Sequence, residues 1–283
     1  MTAQRPMHCD MYPARTAIPD RMNRRTAILA ASFGTALPDA IARAIAPLEK
    51  DLALHTGLEV RRAFSSEAVR SRLMKAHGMQ VPGIPAALES LRAEGFDSVI
   101  VQPLMLMPGG EYARLAESVR ENAGRLHAVL GEALLRGEED MDEILKALIK
   151  SCPLADDTLL AAMAHGSACD EGGLYAALAR RMAGMERPAA LCTIHDPASF
   201  EALASQLAMR PQRKVHILPF LLFPGAHARE NLCGDSPASL RGILAAAGFE
   251  VTWTLRGLCE LPEVRDIFVR RAQDALDRLA SGT

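Results

Sequence analysis

The sequence predicts an α/β protein of two similar domains, each a parallel sheet flanked by helices, with the functional site in the cleft between them. Three observations carry that expectation. Short apolar runs alternate with helical patterns along nearly the whole chain. The alternation starts over near residue 158. Two motif pairs also recur in order. Ile28-Leu-Ala-Ala-Ser-Phe-Gly-Thr35 matches Leu160-Ala-Ala-Met-Ala-His-Gly-Ser167, and Gln102-Pro-Leu-Met-Leu-Met-Pro-Gly109 matches Leu218-Pro-Phe-Leu-Leu-Phe-Pro-Gly225. The offsets are 132 and 116 residues, as a duplication with one shortened segment would give.

Taken in order, residues 1–25 are polar, contain three prolines and lack an apolar stretch, which reads as a disordered N-terminal tail and not a secretory signal. Residues 26–150 form the expected N-terminal domain. Ala27–Phe33 is a buried parallel strand, and Pro38–His55 is a helix whose apolar Ile41, Ala44, Ile45 and Leu48 share a face. Pro47 falls inside that helix and is expected to kink it or end it early. Leu58–Phe64 and Ser98–Leu104 are strands, with a helix at Ile84–Glu94 stopped by Gly95. Glu111–Leu126 is helical, Leu130–Leu135 is a fourth strand, and Asp140–Lys150 is a helix. Ser151–Asp157 reads as a linker into a C-terminal domain, residues 151–283. Its strands are Thr158–Ala164, Ala189–Ile194, Val215–Phe223 and Phe249–Thr254, and a last helix runs from Val264 to Leu279.

Composition narrows the function classes. The chain has 283 residues, 49% of them hydrophobic, so it can bury a sizeable core. With 32 Lys and Arg against 34 Asp and Glu it is not a basic nucleic-acid-binding chain, and 4% aromatics gives little material for stacking bases. No run approaches the ~18 apolar residues of a membrane span, so no membrane partner is expected and the cytoplasm is the expected compartment. The six cysteines are scattered, with no C-x-x-C pair, and read as small buried hydrophobes. Neither a phosphate-binding G-x-x-x-x-G-K loop nor a G-x-G-x-x-G turn occurs.

The duplication makes the halves comparable, and their differences point to chemistry. The second half has His165 where the first has Phe33, and His227 where the first has Glu111. His195 directly follows the second strand of the second half. One histidine beyond a strand is ordinarily a hydrogen-bonding partner. Three beyond successive strands of one parallel sheet would face one crevice, where imidazoles can hold a divalent Fe, Co, Ni or Zn ion. His216 lies inside a strand and reads as structural, and His8, His55, His77 and His127 fall on the tail or on surface segments.

At these residues the sequence resembles the cobaltochelatases of the anaerobic cobalamin pathway, class II chelatases that insert Co2+ into sirohydrochlorin. The resemblance rests on Ser32-Phe-Gly-Thr35, Val60-Arg-Arg-Ala-Phe-Ser-Ser66, Val101-Gln-Pro-Leu104 with Pro108-Gly-Gly-Glu-Tyr112, Ala164-His-Gly166, Leu218–Arg229, Gly234-Asp235 and Gly248–Val251. It spans roughly residues 26–275. It implies two α/β domains with the tetrapyrrole and metal between them, and a metal site of two histidines and a glutamate. The family's histidines map onto His165 and His227. His195 stands where the family's glutamate is expected, with Asp196 beside it, so the implied metal ligands here are His165, His195 and His227.

That resemblance implies a metal-inserting lyase with Co2+ as its substrate metal, Fe2+ or Ni2+ as alternatives, and no organic cofactor. His165 is the expected principal ligand and proton acceptor, and Glu111 is expected to assist proton removal from the other half. Sirohydrochlorin carries many carboxylates, so the expected substrate-binding residues are Ser32, Arg61, Arg62, Arg114 and Arg229. The apolar Leu104–Met107 and Phe220–Phe223 could flank a flat macrocycle or simply be core. Self-association into a homo-oligomer is compatible with the sequence. Three other readings stand beside this one: a sirohydrochlorin ferrochelatase, a non-catalytic tetrapyrrole or metal carrier, and a two-lobed periplasmic-type solute-binding protein, the last disfavoured by the expected lack of a secretory signal and by the strand-end histidines.

Overall fold

A computed structural model describes residues 25–152, 154–166, 173–185 and 189–282. Of the expected tail only Arg25 is described, and Cys9, Ser167 and Cys169 lie outside the described residues. Two four-stranded sheets carry the fold, and every strand pairing in both is parallel. The first sheet contains β1 (Thr26–Ser32), β2 (Glu59–Phe64), β3 (Ser98–Pro103) and β4 (His127–Leu130), in the order β2-β1-β3-β4. The second contains β5 (Thr158–Ala164), β6 (Ala189–Thr193), β7 (Lys214–Pro219) and β8 (Glu250–Trp253), in the order β6-β5-β7-β8. The two orders are the same, which is the architecture expected of the duplicated motifs.

Register follows burial. All seven residues of β1 are buried, because helices cover both faces of this central strand. Ile28 pairs with Val60 on one side and Ile100 on the other. In this order the chain leaves β1 towards one edge and returns to β3 on the other side. The carboxyl ends of β1 and β3, and of β5 and β7, therefore flank the switch points where open sheets bind ligands.

Helices fill the space between and outside the sheets. In the first half, α1 (Pro38–Ala40), a five-residue π-helical turn (Ile41–Ile45) and α2 (Ala46–Thr56) are continuous. The π turn answers the expectation about Pro47. Ala46 N–H bonds Ile41 O, five residues back, and this wider turn lets the helix run through a proline that cannot donate. Next come α3 (Glu67–His77), α4 (Ile84–Ala93), α5 (Gly110–Asn122) and α6 (Met141–Lys150). In the second half the helices are α7 (Leu174–Ala183), α8 (Ala198–Ala208), α9 (Ala226–Cys233), α10 (Leu240–Ala246) and α11 (Pro262–Ser281).

The last helix of each half crosses to the other. α11, which follows β8, lies against α2, where Arg265 Nε bonds Asp51 Oδ2 at 2.6 Å and Arg278 reaches the Leu130 carbonyl at 3.1 Å. α6, which follows β4, meets α7 through Arg181 and Asp142 at 2.6 Å. One buried cluster joins both sheets across this middle layer, from Ile28 and Leu48 through Phe268 to Leu160 and Phe220. Separate clusters lie under α4 and α5 on the outer face of the first sheet, and under α8 and α10 on that of the second.

Three elements depart from expectation. The fourth strand is His127–Leu130, not Leu130–Leu135. Leu134 and Leu135 are buried because their N–H groups bond Met105 O and Leu106 O, so their apolarity reflects a covered loop. α3 was not anticipated from its weak apolar pattern; Ser66 Oγ accepts from Val69 N–H at its start and Gly78 ends it at φ +65. β7 stops at Pro219, and the apolar residues after it turn into the core.

Candidate metal centre and substrate crevice

The site grows from the carboxyl ends of β5 and β6. Their parallel pairing continues past both strands, Ile194 N–H bonding Ala164 O and His195 N–H bonding His165 O, each at 3.0 Å. This backbone ladder holds His165 and His195 abreast. Their rings meet in a T, centroids 4.8 Å apart and planes at 61°. Both residues are exposed, and His165 Nδ1 lies 3.4 Å from the Gly166 carbonyl.

Gly166 makes this approach feasible. Its φ is +81, and a Cβ there would stand 2.9 Å from Thr193 Cβ and 3.1 Å from His195 Cβ. The turn beyond is pinned as well. Thr193 and Asp196 form an antiparallel bridge, and Ser199 Oγ accepts from Thr193 N–H at 3.0 Å while lying 3.1 Å from Thr193 O.

The ring spacing fits two ligands of one ion. With metal–nitrogen bonds of about 2.1 Å, each ring centroid lies about 3.2 Å from the metal. Two such rings at 90–109° then have centroids roughly 4.5–5.2 Å apart. Among the described residues, no group of three or more His, Cys, Asp or Glu side chains is gathered closely enough to hold an ion. The expected third ligand, His227, has its backbone in the first turn of α9, but its side chain lies outside the described set. Gly225, the residue before α9, would bring a Cβ to 3.9 Å from Thr35 Oγ1, so the loop after β7 lies against the loop after β1. Asp196 is exposed beside His195.

The first half contributes a different surface. Phe33 stands at the end of β1, in the repeat position of His165, and is 49% exposed. Glu111 sits in the first turn of α5, ion-paired with Arg114 one turn on. Tyr112 anchors that turn through its hydroxyl, 2.9 Å from Gly131 O, and burial pushes its phenol above the usual range. Glu111, Arg114 and Phe33 share a cavity of about 340 Å3 with Ser65, Arg70 and Ser118. Ser32 is buried at the carboxyl end of β1, and its Oγ has no hydrogen-bond partner among the described residues.

Two of the expected substrate-binding arginines are not at this edge. Arg61 pairs with Glu59 and with Glu94 at 2.6 Å, and Arg62 grips Glu49 on α2 with Nε at 2.7 Å. Alternation along β2 sends them to opposite faces of the sheet, where carboxylates already meet their charge. Arg229 is exposed on α9, two residues after His227. Leu104, Met105, Phe220 and Leu222 are buried and belong to the core. His216 is structural, as expected: Nδ1 and Nε2 each lie 2.9 Å from a threonine hydroxyl, of Thr252 and Thr254.

Sequence reasoning passed over Arg70, Ser65 and any role for the exposed ring of Phe33. Arg70 and Ser65 lie in or beside the unanticipated helix α3, and only its placement brings them to the cavity.

The chain matches the model of the cobalt chelatase family (CbiK) over residues 26–277. It is 30% identical over 258 residues to the sirohydrochlorin cobaltochelatase of Salmonella typhimurium, covering 89% of this chain and 97% of that protein. It is 29% identical over 228 residues to the sirohydrochlorin cobaltochelatase CbiKC of Nitratidesulfovibrio vulgaris, covering 79% and 80%. Among solved structures, SirB from Bacillus subtilis with Fe3+ superposes with a TM-score of 0.66, covering 91% of this chain and 98% of that one. At 17% identity that likeness is one of fold. No helix among the described residues is long and apolar enough to cross a membrane.

Proposed function

This chain belongs to the cobalt chelatase family, and on that premise we propose that it inserts Co2+ into sirohydrochlorin in the anaerobic route to cobalamin, in the cytoplasm. The observation that carries the reading to particular residues is the His165–His195 pair, fixed by the β5–β6 ladder at a spacing suited to one ion. Co2+ is the proposed substrate metal, and imidazole donors suit it.

Metallation exchanges two pyrrole N–H protons for one divalent ion, so charge balances when both protons leave. His165 is the proposed principal ligand and first proton acceptor; an imidazole with an ordinary pKa of ~6.5 can serve in both ways near neutrality. His195 and His227 complete the loose metal site. The ion must leave for the macrocycle, so an open, exposed site serves better than a closed cage. Glu111 faces the substrate from the first half and takes the second proton. Ser32, Arg114 and Arg229 are the proposed contacts to the substrate's rim.

The test is anaerobic absorbance of sirohydrochlorin with purified protein and Co2+, Fe2+ or Ni2+ in turn, against protein-free controls. Several turnovers per protein, fastest with Co2+, are expected. Fastest turnover with Fe2+ would make the protein a sirohydrochlorin ferrochelatase. Change limited to one equivalent would make it a carrier, the alternative raised by an imidazole at position 195 where the family's glutamate is expected.

A further inference from the structure

The cavity lined by Glu111 holds an arginine that no carboxylate among the described residues neutralises. Arg70 Nε is buried without a hydrogen-bond partner, and no carboxylate among the described residues pairs with its guanidinium. Ser65 Oγ, in the same cavity, is also buried without a partner. The other charges there, Glu111 and Arg114, satisfy each other. The cavity therefore carries one uncompensated positive charge next to an unsatisfied hydroxyl, an arrangement that costs stability unless an anion completes it.

The backbone is shaped around that guanidinium. A Cβ at Gly83 would stand 3.2 Å from Arg70 Cζ and Nη2, so glycine leaves the room in which the group lies. The cavity also receives the starts of α3, α4 and α5, through Ser66, Gly83 and Glu111, and helix starts favour negative charge. It opens beside the exposed ring of Phe33 at the carboxyl edge of the first sheet.

We propose that this cavity is a carboxylate pocket, with Arg70 as its fork-shaped donor and Ser65 as its hydroxyl donor, and that it seats a carboxylate-bearing side arm of the tetrapyrrole. The inference rests on the chelatase reading for the identity of that tetrapyrrole, and on the cavity alone for its preference for a carboxylate. A guanidinium offers two parallel N–H donors that match a carboxylate. Arg70 thus acts as a specificity-determining residue, fixing the rotation of the macrocycle above the histidines.

The test is a fluorescence titration of metal-free sirohydrochlorin into wild-type protein and the Arg70→Ala, Arg70→Lys and Ser65→Ala variants, with circular dichroism as the fold control. Arg70→Ala should raise Kd and KM roughly tenfold to a hundredfold, leaving kcat and Co2+ affinity unchanged. Arg70→Lys should recover only part, since a point charge lacks the fork. A folded Arg70→Ala variant with wild-type Kd would overturn the pocket while leaving the chelatase reading standing. A second arm follows the Arg70 Nε–H resonance by NMR as propionate or inorganic phosphate is added to the wild type. Movement with propionate but not phosphate supports the carboxylate pocket even if sirohydrochlorin is neither bound nor metallated. No movement with propionate, together with no binding of sirohydrochlorin, overturns it.

Discussion

His195 donates its backbone N–H to the carbonyl of His165 at 3.0 Å, and the two imidazoles stand 4.8 Å apart above that bond. The ring separation is thus set by main-chain pairing, which side-chain substitution leaves in place. Each ring can be altered without moving the mount of the other.

His165→Ala should therefore abolish cobalt insertion while preserving the fold. The loss expected is about a hundredfold or more in the protein-catalysed rate, because one residue serves as ligand and base. Steady-state absorbance of the metallated product measures it, with circular dichroism as control. A His165→Ala rate within a few-fold of wild type would remove His165 from the chemistry.

His195→Glu replaces a neutral donor with an anionic oxygen on the same mount. Harder ions should gain relative to softer ones, so the order of rates among Co2+, Ni2+ and Fe2+ should change. Parallel metal series on the two proteins check this, and an unchanged order would make His195 a bystander.

Gly166→Ala forces a side chain into φ +81 and against Thr193 and His195. A cost of about 1–3 kcal/mol in unfolding free energy is expected. Activity should fall further than stability alone explains, because the ladder that mounts His195 must shift. Urea denaturation and turnover on the same sample separate the two effects.

Asp140 ties α11 to the loop before α6 through Arg271, at 2.6 Å. Burial would raise its pKa, but the Arg136 backbone N–H and the Arg271 guanidinium outweigh that and hold it below the ordinary carboxylate range. A depressed folded-state pKa gives stability that is fully present above the unfolded value of ~3.9 and is lost as pH falls through the folded value. Asp140→Asn should cost about 3 kcal/mol at neutral pH. The gap from wild type should close below about pH 4, which denaturant midpoints against pH would show.

His216 works in the opposite chemical sense with the same slope. Burial lowers its pKa, so the fold favours the neutral ring. Between the unfolded pKa of ~6.5 and the lower folded value, the unfolded chain binds more protons, so stability falls as pH drops through that window. His216→Gln should flatten that limb, and melting temperatures between pH 7 and pH 5 are the check.

The side-by-side placement of His165 and His195 was legible, because the duplication compares one half with the other and marks the strand ends. The motif match set His165 opposite Phe33 and His227 opposite Glu111, and strand-end positions in a parallel sheet share an edge. Arg61 and Arg62 misled because strand alternation tells which face a side chain takes and not what waits there; Glu94 and Glu49 arrive from distant helices. Arg70 was invisible for the same reason in reverse. Nothing near it in sequence reveals that no carboxylate among the described residues comes to meet it. The stretch 130–135 misled because a covered loop and a short strand are equally apolar.

The crossing of α6 and α11 constrains how the two halves can move against each other. α11 lies against β3 and β4 of the first sheet, and α6 meets α7 of the second half, so swinging the halves apart would peel Phe268 and Leu148 out of the shared core. A clam-shell opening is thereby closed off. At the rim, the segment after β1 lies close to the segment after β7, where a Cβ on Gly225 would stand 3.9 Å from Thr35 Oγ1. The two halves thus form one clasped body, with His165 and His195 mounted side by side at the carboxyl edge of the second sheet.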